Sequence, residues 1–188
     1  MNTLQYINQL LDIDLKSNDE IPFKITEKEI EAGQIITNYD EIETKVYFLK
    51  RGIVQVSLLY YDDERILDFF FENSFLNSYT SFLTKLPSDV QLIALTKVEL
   101  DVIDGADILN AYKTSLLANQ LGRYVTERLF INNTKREKDL LTKTAEQRYI
   151  ELLQNRPDIV SLISINKIAK YLGIHPESLS RIRKFIVA

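Results

Sequence analysis

Ser164-Ile165-Asn166-Lys167-Ile168-Ala169-Lys170-Tyr171-Leu172-Gly173-Ile174-His175-Pro176-Glu177-Ser178-Leu179-Ser180-Arg181-Ile182-Arg183-Lys184 is the stretch on which the reading of this chain turns. With Ile165 as the first position, Ala169 is the fifth, Gly173 the ninth, Leu179 the fifteenth and Ile182 the eighteenth, the spacing of a helix-turn-helix. Where two short helices cross steeply, the fifth position must be small, and the ninth must tolerate the backbone of the turn, which glycine does most cheaply. Leu179 and Ile182 must be apolar to hold the second helix against Ile168, Leu172 and Ile174 of the first. At about 100° per residue, Leu179, Ile182 and Ile186 share one side of the second helix and Glu177, Arg181 and Lys184 the other. Pro176 suits a first helical position, where its missing N–H costs nothing, and Ser164 suits the N-cap of the preceding helix. A surface helical hairpin that merely packs would explain the apolar side, but not a basic outer side at the end of an acidic chain.

That basic end is marked off by charge. The chain of 188 residues has a net charge of −4, yet residues 1–134 hold 12 Lys+Arg against 21 Asp+Glu, and residues 135–188 hold 11 against 6. An acidic body with a basic C-terminal module suits phosphate binding at one end only. The absence of cysteine excludes disulfides, thiolate zinc sites, Cys-ligated iron–sulfur clusters and cysteine nucleophiles. His175 is the only histidine, so a histidine-clustered metal site is not expected either. The N-terminus is amphipathic and acidic and no run of 18 apolar residues occurs, so a soluble cytoplasmic protein without membrane attachment is the expectation.

Working outward, residues 3–15 read as a short helix with Leu4, Ile7, Leu10 and Leu11 at helical spacing and Asn2 or Thr3 as cap. Short strands follow between Phe23 and Ile103: 33–37, 46–50, 53–60, 65–71, 91–96 and 98–103, separated by turns at 39–43, Arg51-Gly52, Asp62-Asp63 and 87–89. Strands this short and numerous suggest an antiparallel barrel or jelly roll. Phe75, Leu76, Tyr79, Phe82 and Leu83 have helical spacing within 73–85, either a helix plugging one end of the roll or the lining of a pocket. From Ala106 a long helix is expected to about Asn132, with Leu117, Leu121, Tyr124, Val125 and Ile131 on one stripe. A second copy of the chain is the expected cover for that stripe, and packing back on the roll is the alternative. The polar run 132–139 reads as a hinge, and Thr144 with Gln147 has capping-box spacing for a helix ending near Arg156-Pro157. The fold class is α+β: an N-terminal antiparallel, jelly-roll-like β-roll (1–105), a long dimerisation helix (106–134) and a helical helix-turn-helix domain (135–188).

This order of parts resembles the Crp/Fnr family of bacterial transcription regulators over essentially the whole chain. The resemblance is carried by Thr144-Ala145-Glu146-Gln147-Arg148-Tyr149 with Leu152-Leu153, by the segment from Ile168 to Arg183, and by Tyr47-Phe48-Leu49-Lys50-Arg51-Gly52-Ile53-Val54-Gln55-Val56. It implies a cyclic-nucleotide-binding-like roll and a C-terminal winged helix-turn-helix acting as a homodimer on double-stranded DNA at a near-palindromic operator, with RNA polymerase as a further partner. It also implies base reading by Glu177 and Arg181, with Lys167, Lys170, Arg183 and Lys184 on phosphates and His175 and Ser178 nearby. The family's arginine before the glutamate is replaced by Pro176.

The effector pocket departs most. The family's Gly-Glu pair and its phosphate-binding arginine correspond to Glu72-Asn73-Ser74-Phe75 and Pro87-Ser88-Asp89-Val90. A pocket of Phe71, Asn73, Ser74, Phe75, Ser88 and Asp89 offers nothing to neutralise a cyclic phosphate. Cyclic AMP, haem and iron–sulfur clusters are therefore not expected as ligands, and any small-molecule effector is unidentified. The alternative function is a ligand- or protein-binding roll whose DNA binding has decayed. An enzyme is not expected, because no nucleophile motif or Gly-rich phosphate loop is present.

Overall fold

The computed structural model describes residues 1–61 and 63–187, so Asp62 of the expected turn lies outside the described residues. The chain divides into two compact units: Met1–Leu58 with Asp68–Glu127, and Leu59–Leu67 with the chain from Arg128 onward.

The first unit opens with α1 (Thr3–Leu11), capped by Asn2 and Gln5 in a capping box. The strands are β1 (Ile25–Ile30), β2 (Ile35–Thr37), β3 (Lys45–Arg51), β4 (Val54–Tyr60), β5 (Asp63–Phe70), β6 (Ser74–Leu76), β7 (Val90–Ala94) and β8 (Val98–Asp104). They form two four-stranded sheets in the orders β1-β8-β3-β6 and β2-β7-β4-β5, with antiparallel pairings such as Ile25 to Ile103 and Val54 to Ala94. The core is made by Phe48, Leu49, Val54, Leu92, Leu100 and Ile103, all essentially without solvent exposure.

Two strands depart from the sequence expectation. β1 carries mostly exposed, charged side chains and gives no apolar alternation, yet its backbone pairs along its whole length with β8. β6 occupies residues expected to begin a helix. Asn73 adopts a left-handed backbone with φ 66°, and its N–H donates to Leu49 O at 2.8 Å, so Ser74, Phe75 and Leu76 pair with β3. Helix α2 is therefore only Tyr79–Thr84.

The long helix is also interrupted. α3 (Gly105–Thr114) ends at Ser115, whose extended backbone starts a new helix while its hydroxyl accepts from Ala118 N at 3.2 Å. α4 then runs from Leu116 to Thr142, so the expected hinge at 132–139 is helical. The stripe assigned to dimerisation is largely consumed within the chain. Leu121 is 5% exposed and lies in one core cluster with Ile7 of α1 and Ile108 and Ala111 of α3, and Leu117 and Val125 pack against that cluster. Ile131, at the same helical spacing, is 56% exposed, and only the Leu117, Leu121 and Val125 part of the stripe packs against α1 and α3.

In the second unit, α5 (Ala145–Asn155) opens with the expected capping box: Gln147 N donates to Thr144 Oγ1 at 3.2 Å and Thr144 N to Gln147 Oε1 at 2.9 Å. A short α6 (Ile159–Leu162) leads to α7 (Ile165–Leu172) and α8 (Pro176–Val187). Among the described residues no strand follows β8, so the wing implied by the family resemblance is absent from them. α4 and α5 are held together by Glu151, which pairs with Lys135 at 2.7 Å and with Lys143, itself bonded to Asp139 at 2.7 Å. The two lysine hydrogen bonds hold the Glu151 carboxyl below the usual range.

A Cβ at Gly105 would lie 2.4 Å from the Phe82 ring and 2.6 Å from Thr44 O, so Gly105→Ala should lower stability by about 1–3 kcal/mol in denaturant titration. A carboxyl with a depressed folded-state pKa stabilises above its unfolded value and loses that contribution as pH falls through the folded one. The melting temperature should thus fall less steeply in Glu151→Gln than in the wild type between about pH 5 and 3.

Candidate nucleic-acid interface

Ser164 caps α7, with Lys167 N donating to its hydroxyl at 3.5 Å. At the other end Gly173 takes a left-handed backbone with φ 71°, and Ile174 N returns to Ala169 O at 3.0 Å. A Cβ at Gly173 would meet nothing within 4 Å, so the position calls for glycine through its φ and not through crowding. Ile168, Ala169 and Leu179 are completely buried, and Leu172 nearly so. A methyl group at Ala169 is thus the spacer where α7 and α8 cross, and Leu179 anchors α8 from the opposite side.

That anchoring decides which residues face outward. His175, Glu177, Arg181 and Lys184 are exposed, whereas Ser178 and Arg183 are half-buried. The apolar side of α8 is covered only over its first turns, for Ile186 is 37% exposed and Phe185 81%. On α7, Lys167 and Lys170 are half-buried, and Lys170 Nζ lies 3.2 Å from Glu64 Oε2. The outward face therefore brings together Glu177, Arg181 and Lys184, while Lys170 is engaged with a carboxylate.

Two arginines outside the expected set hold this module together. Arg148 of α5 donates to Leu172 O at 2.8 Å and to Lys143 O at 2.6 Å, fixing the end of α7. Arg136 of α4 donates to Tyr171 O at 3.0 Å and Ile66 O at 3.3 Å, with its guanidinium 4.2 Å from the centre of the Tyr171 ring. Neither role has a signature in sequence, since the bonds of Arg148 to Leu172 O and of Arg136 to Ile66 O and Tyr171 O reach carbonyls distant along the chain.

The residues expected to line an effector pocket have separate neighbours. Phe75 packs its ring 5.8 Å from Tyr6 and 5.0 Å from Phe48. Ser88 is buried, lies 2.7 Å from Ser78 Oγ and donates to Val90 O at 2.7 Å. Asp89 is exposed, Phe71 and Ser74 are half-buried, and Asn73 has a buried side-chain oxygen without a hydrogen-bond partner.

Buried polar groups also lie elsewhere in the roll, and the sequence gives no sign that Thr37, Glu43, Ser57 or Ser81 is among them. Thr37 donates to Glu43 Oε2 at 2.6 Å, Glu43 N donates to Ser81 Oγ at 3.0 Å, and Gln55 and Ser57 are fully buried. Burial, reinforced by the Glu43 charge, pushes the Tyr47 hydroxyl up to about 12. Among the described residues no group of His, Cys, Asp or Glu could hold a metal ion, and no helix is long and apolar enough to cross a membrane.

The model of the cyclic nucleotide-binding domain family matches residues 27–115. Comparison with curated protein sequences finds no match. Among solved structures, FixK2 from Bradyrhizobium japonicum gives a TM-score of 0.75 at 19% identity, with 87% of this chain and 84% of that one covered. A protein from Eubacterium rectale described as a transcriptional regulator of the Crp/Fnr family gives 0.74 at 20% identity, covering 97% and 88%. A CooA variant from Carboxydothermus hydrogenoformans gives 0.71 at 17% identity, covering 96% and 83%. Residues 27–115 are therefore similar to the cyclic nucleotide-binding domain family, and the chain has the fold seen in these Crp/Fnr regulator structures.

Proposed function

We propose that the chain is a sequence-specific DNA-binding transcription regulator that works as a homodimer. The carrying observation is the orientation of α8: Leu179 is fully buried on one side, and Glu177, Arg181 and Lys184 are exposed on the other. A helix anchored in this way can enter a major groove without disturbing its own core. Arg181 is suited to bidentate donation to guanine and Glu177 to accepting from cytosine, while His175, Ser178, Lys167, Lys170, Arg183 and Lys184 serve phosphates around them. Pro176 opens the helix with no side-chain donor, so base reading rests on two residues per copy.

The dimer surface is reassigned to the outer side of α4. Phe130 and Leu141, both in the second unit, are 70% and 80% exposed. Helical spacing puts them within about 20° of one another. Two large apolar side chains on one outer line are costly to leave in water, and a second α4 would cover them. Two copies of α8 about 34 Å apart would then meet successive turns of a near-palindromic site. The effector is not cyclic AMP in the family's usual mode, because Ser88 is bound to Ser78 and Asp89 carries the wrong charge.

Two measurements test this. With an operator selected from random DNA, Arg181→Ala should weaken specific binding by about 1–3 kcal/mol and relax preference at one base pair. Retained discrimination would remove Arg181 from the reading role. Phe130→Glu should leave the circular dichroism spectrum unchanged, weaken self-association in sedimentation by about 2 kcal/mol or more, and weaken operator binding with it. An unchanged sedimentation profile would reject this surface.

A further inference from the structure

Lys170 stands at the last turn of α7, the helix that in this type of module runs across the DNA backbone, and its ammonium is held by Glu64. Glu64 lies in the segment Leu59–Leu67, the tip of the hairpin formed by β4 and β5, which belongs to the same compact unit as the helix-turn-helix. The contact is supported from a second side. Arg136 bridges the hairpin and α7 with one nitrogen, donating to Ile66 O and Tyr171 O while its plane stacks on Tyr171. The hairpin's Arg65 is paired with Asp63 at 3.1 Å.

A carboxylate and a phosphate offer an ammonium the same chemistry, an anionic oxygen accepting a charge-assisted hydrogen bond. They cannot both sit at Lys170 without repelling one another. We infer that Glu64 is an internal stand-in for DNA phosphate, so that the β4–β5 tip restrains DNA binding until Glu64 leaves Lys170. This rests on the proposed DNA-binding function. It goes beyond that function by naming an autoinhibitory residue on the hairpin. Because the tip continues into β4 and β5, any event that shifts those strands would alter DNA affinity through one side chain.

The experiment has two arms on the full chain. In the first, wild type, Glu64→Gln, Lys170→Ala and the double variant are titrated with operator DNA at about 50 and 200 mM salt. Glu64→Gln should tighten binding about two- to fivefold at the lower salt, with a smaller gain at the higher one, where a half-exposed pair is screened. Lys170→Ala should weaken binding and reduce the salt slope by about one, and Glu64→Gln should then have no further effect. Unchanged or weaker binding by Glu64→Gln, or a gain that persists without Lys170, overturns the inference.

The second arm needs no DNA. Acetylation of Lys170 by an amine-reactive reagent, read by mass spectrometry, should be faster in Glu64→Gln than in wild type. Equal labelling overturns the inference even if the DNA-binding reading stands. Faster labelling in a protein that binds no DNA supports the Glu64 contact while the function fails.

Discussion

The close crossing of α7 and α8 at Ala169 is the constraint on which the functional reading depends. A larger side chain there would lift α8 away from α7, and Leu179 would lose the environment that leaves it no exposed surface. Orientation of the outer face is a consequence of that burial: once Leu179 points inward, helical geometry gives Glu177, Arg181 and Lys184 the other side. Gly173 contributes by ending α7 in a left-handed turn short enough to bring α8 back at once. Arg148 supports the same corner from α5 by taking the Leu172 carbonyl that the helix end leaves without an intrahelical donor.

The roll uses polar burial differently. Glu43, Thr37, Ser81, Ser78 and Ser88 are all withdrawn from solvent, and the bond from Glu43 N to Ser81 Oγ ties the 37–45 segment to α2 while Ser78, just before that helix, lies on Ser88. A buried carboxylate is tolerated when its oxygens accept good hydrogen bonds, and those of Glu43 take the Thr37 hydroxyl and the Lys45 N–H. Ser88 and Ser78 spend their hydroxyls on each other and on Val90 O. Residues that could have served a bound molecule are thereby committed to holding the roll, so likeness of fold does not carry a ligand with it.

What the sequence made legible follows from where its signals come from. The helix-turn-helix was readable because small, glycine and apolar positions there answer to purely local geometry, as does the Thr144 capping box. β1 was not, because charged side chains such as Glu27, Lys28 and Glu29 hide a strand whose pairing is supplied by β8. β6 was hidden by Phe75, Leu76, Tyr79 and Phe82, which fit helical spacing although only the last two are helical. The stripe Leu117, Leu121, Val125 shows the same limit at another level. Periodicity tells that a face is covered, and tertiary contacts alone decide whether the cover is α1 and α3 or another chain.

The run 132–139 is dense in charge, with Lys135, Arg136, Glu137, Lys138 and Asp139 in succession. Its polarity is that of a solvated connection, yet it is helical and three of its charges have partners: Lys135 on Glu151, Arg136 on Ile66 O and Tyr171 O, Asp139 on Lys143. Charge density there records a helix that binds neighbours by polar contacts where the rest of the chain uses apolar ones. Such contacts are individually weak and exchangeable, unlike the close packing around Ala169. A segment joined to α5, α7 and the hairpin tip mainly by ion pairs and carbonyl bonds can change partners without opening a core, which is the physical property that a restraint on DNA binding requires.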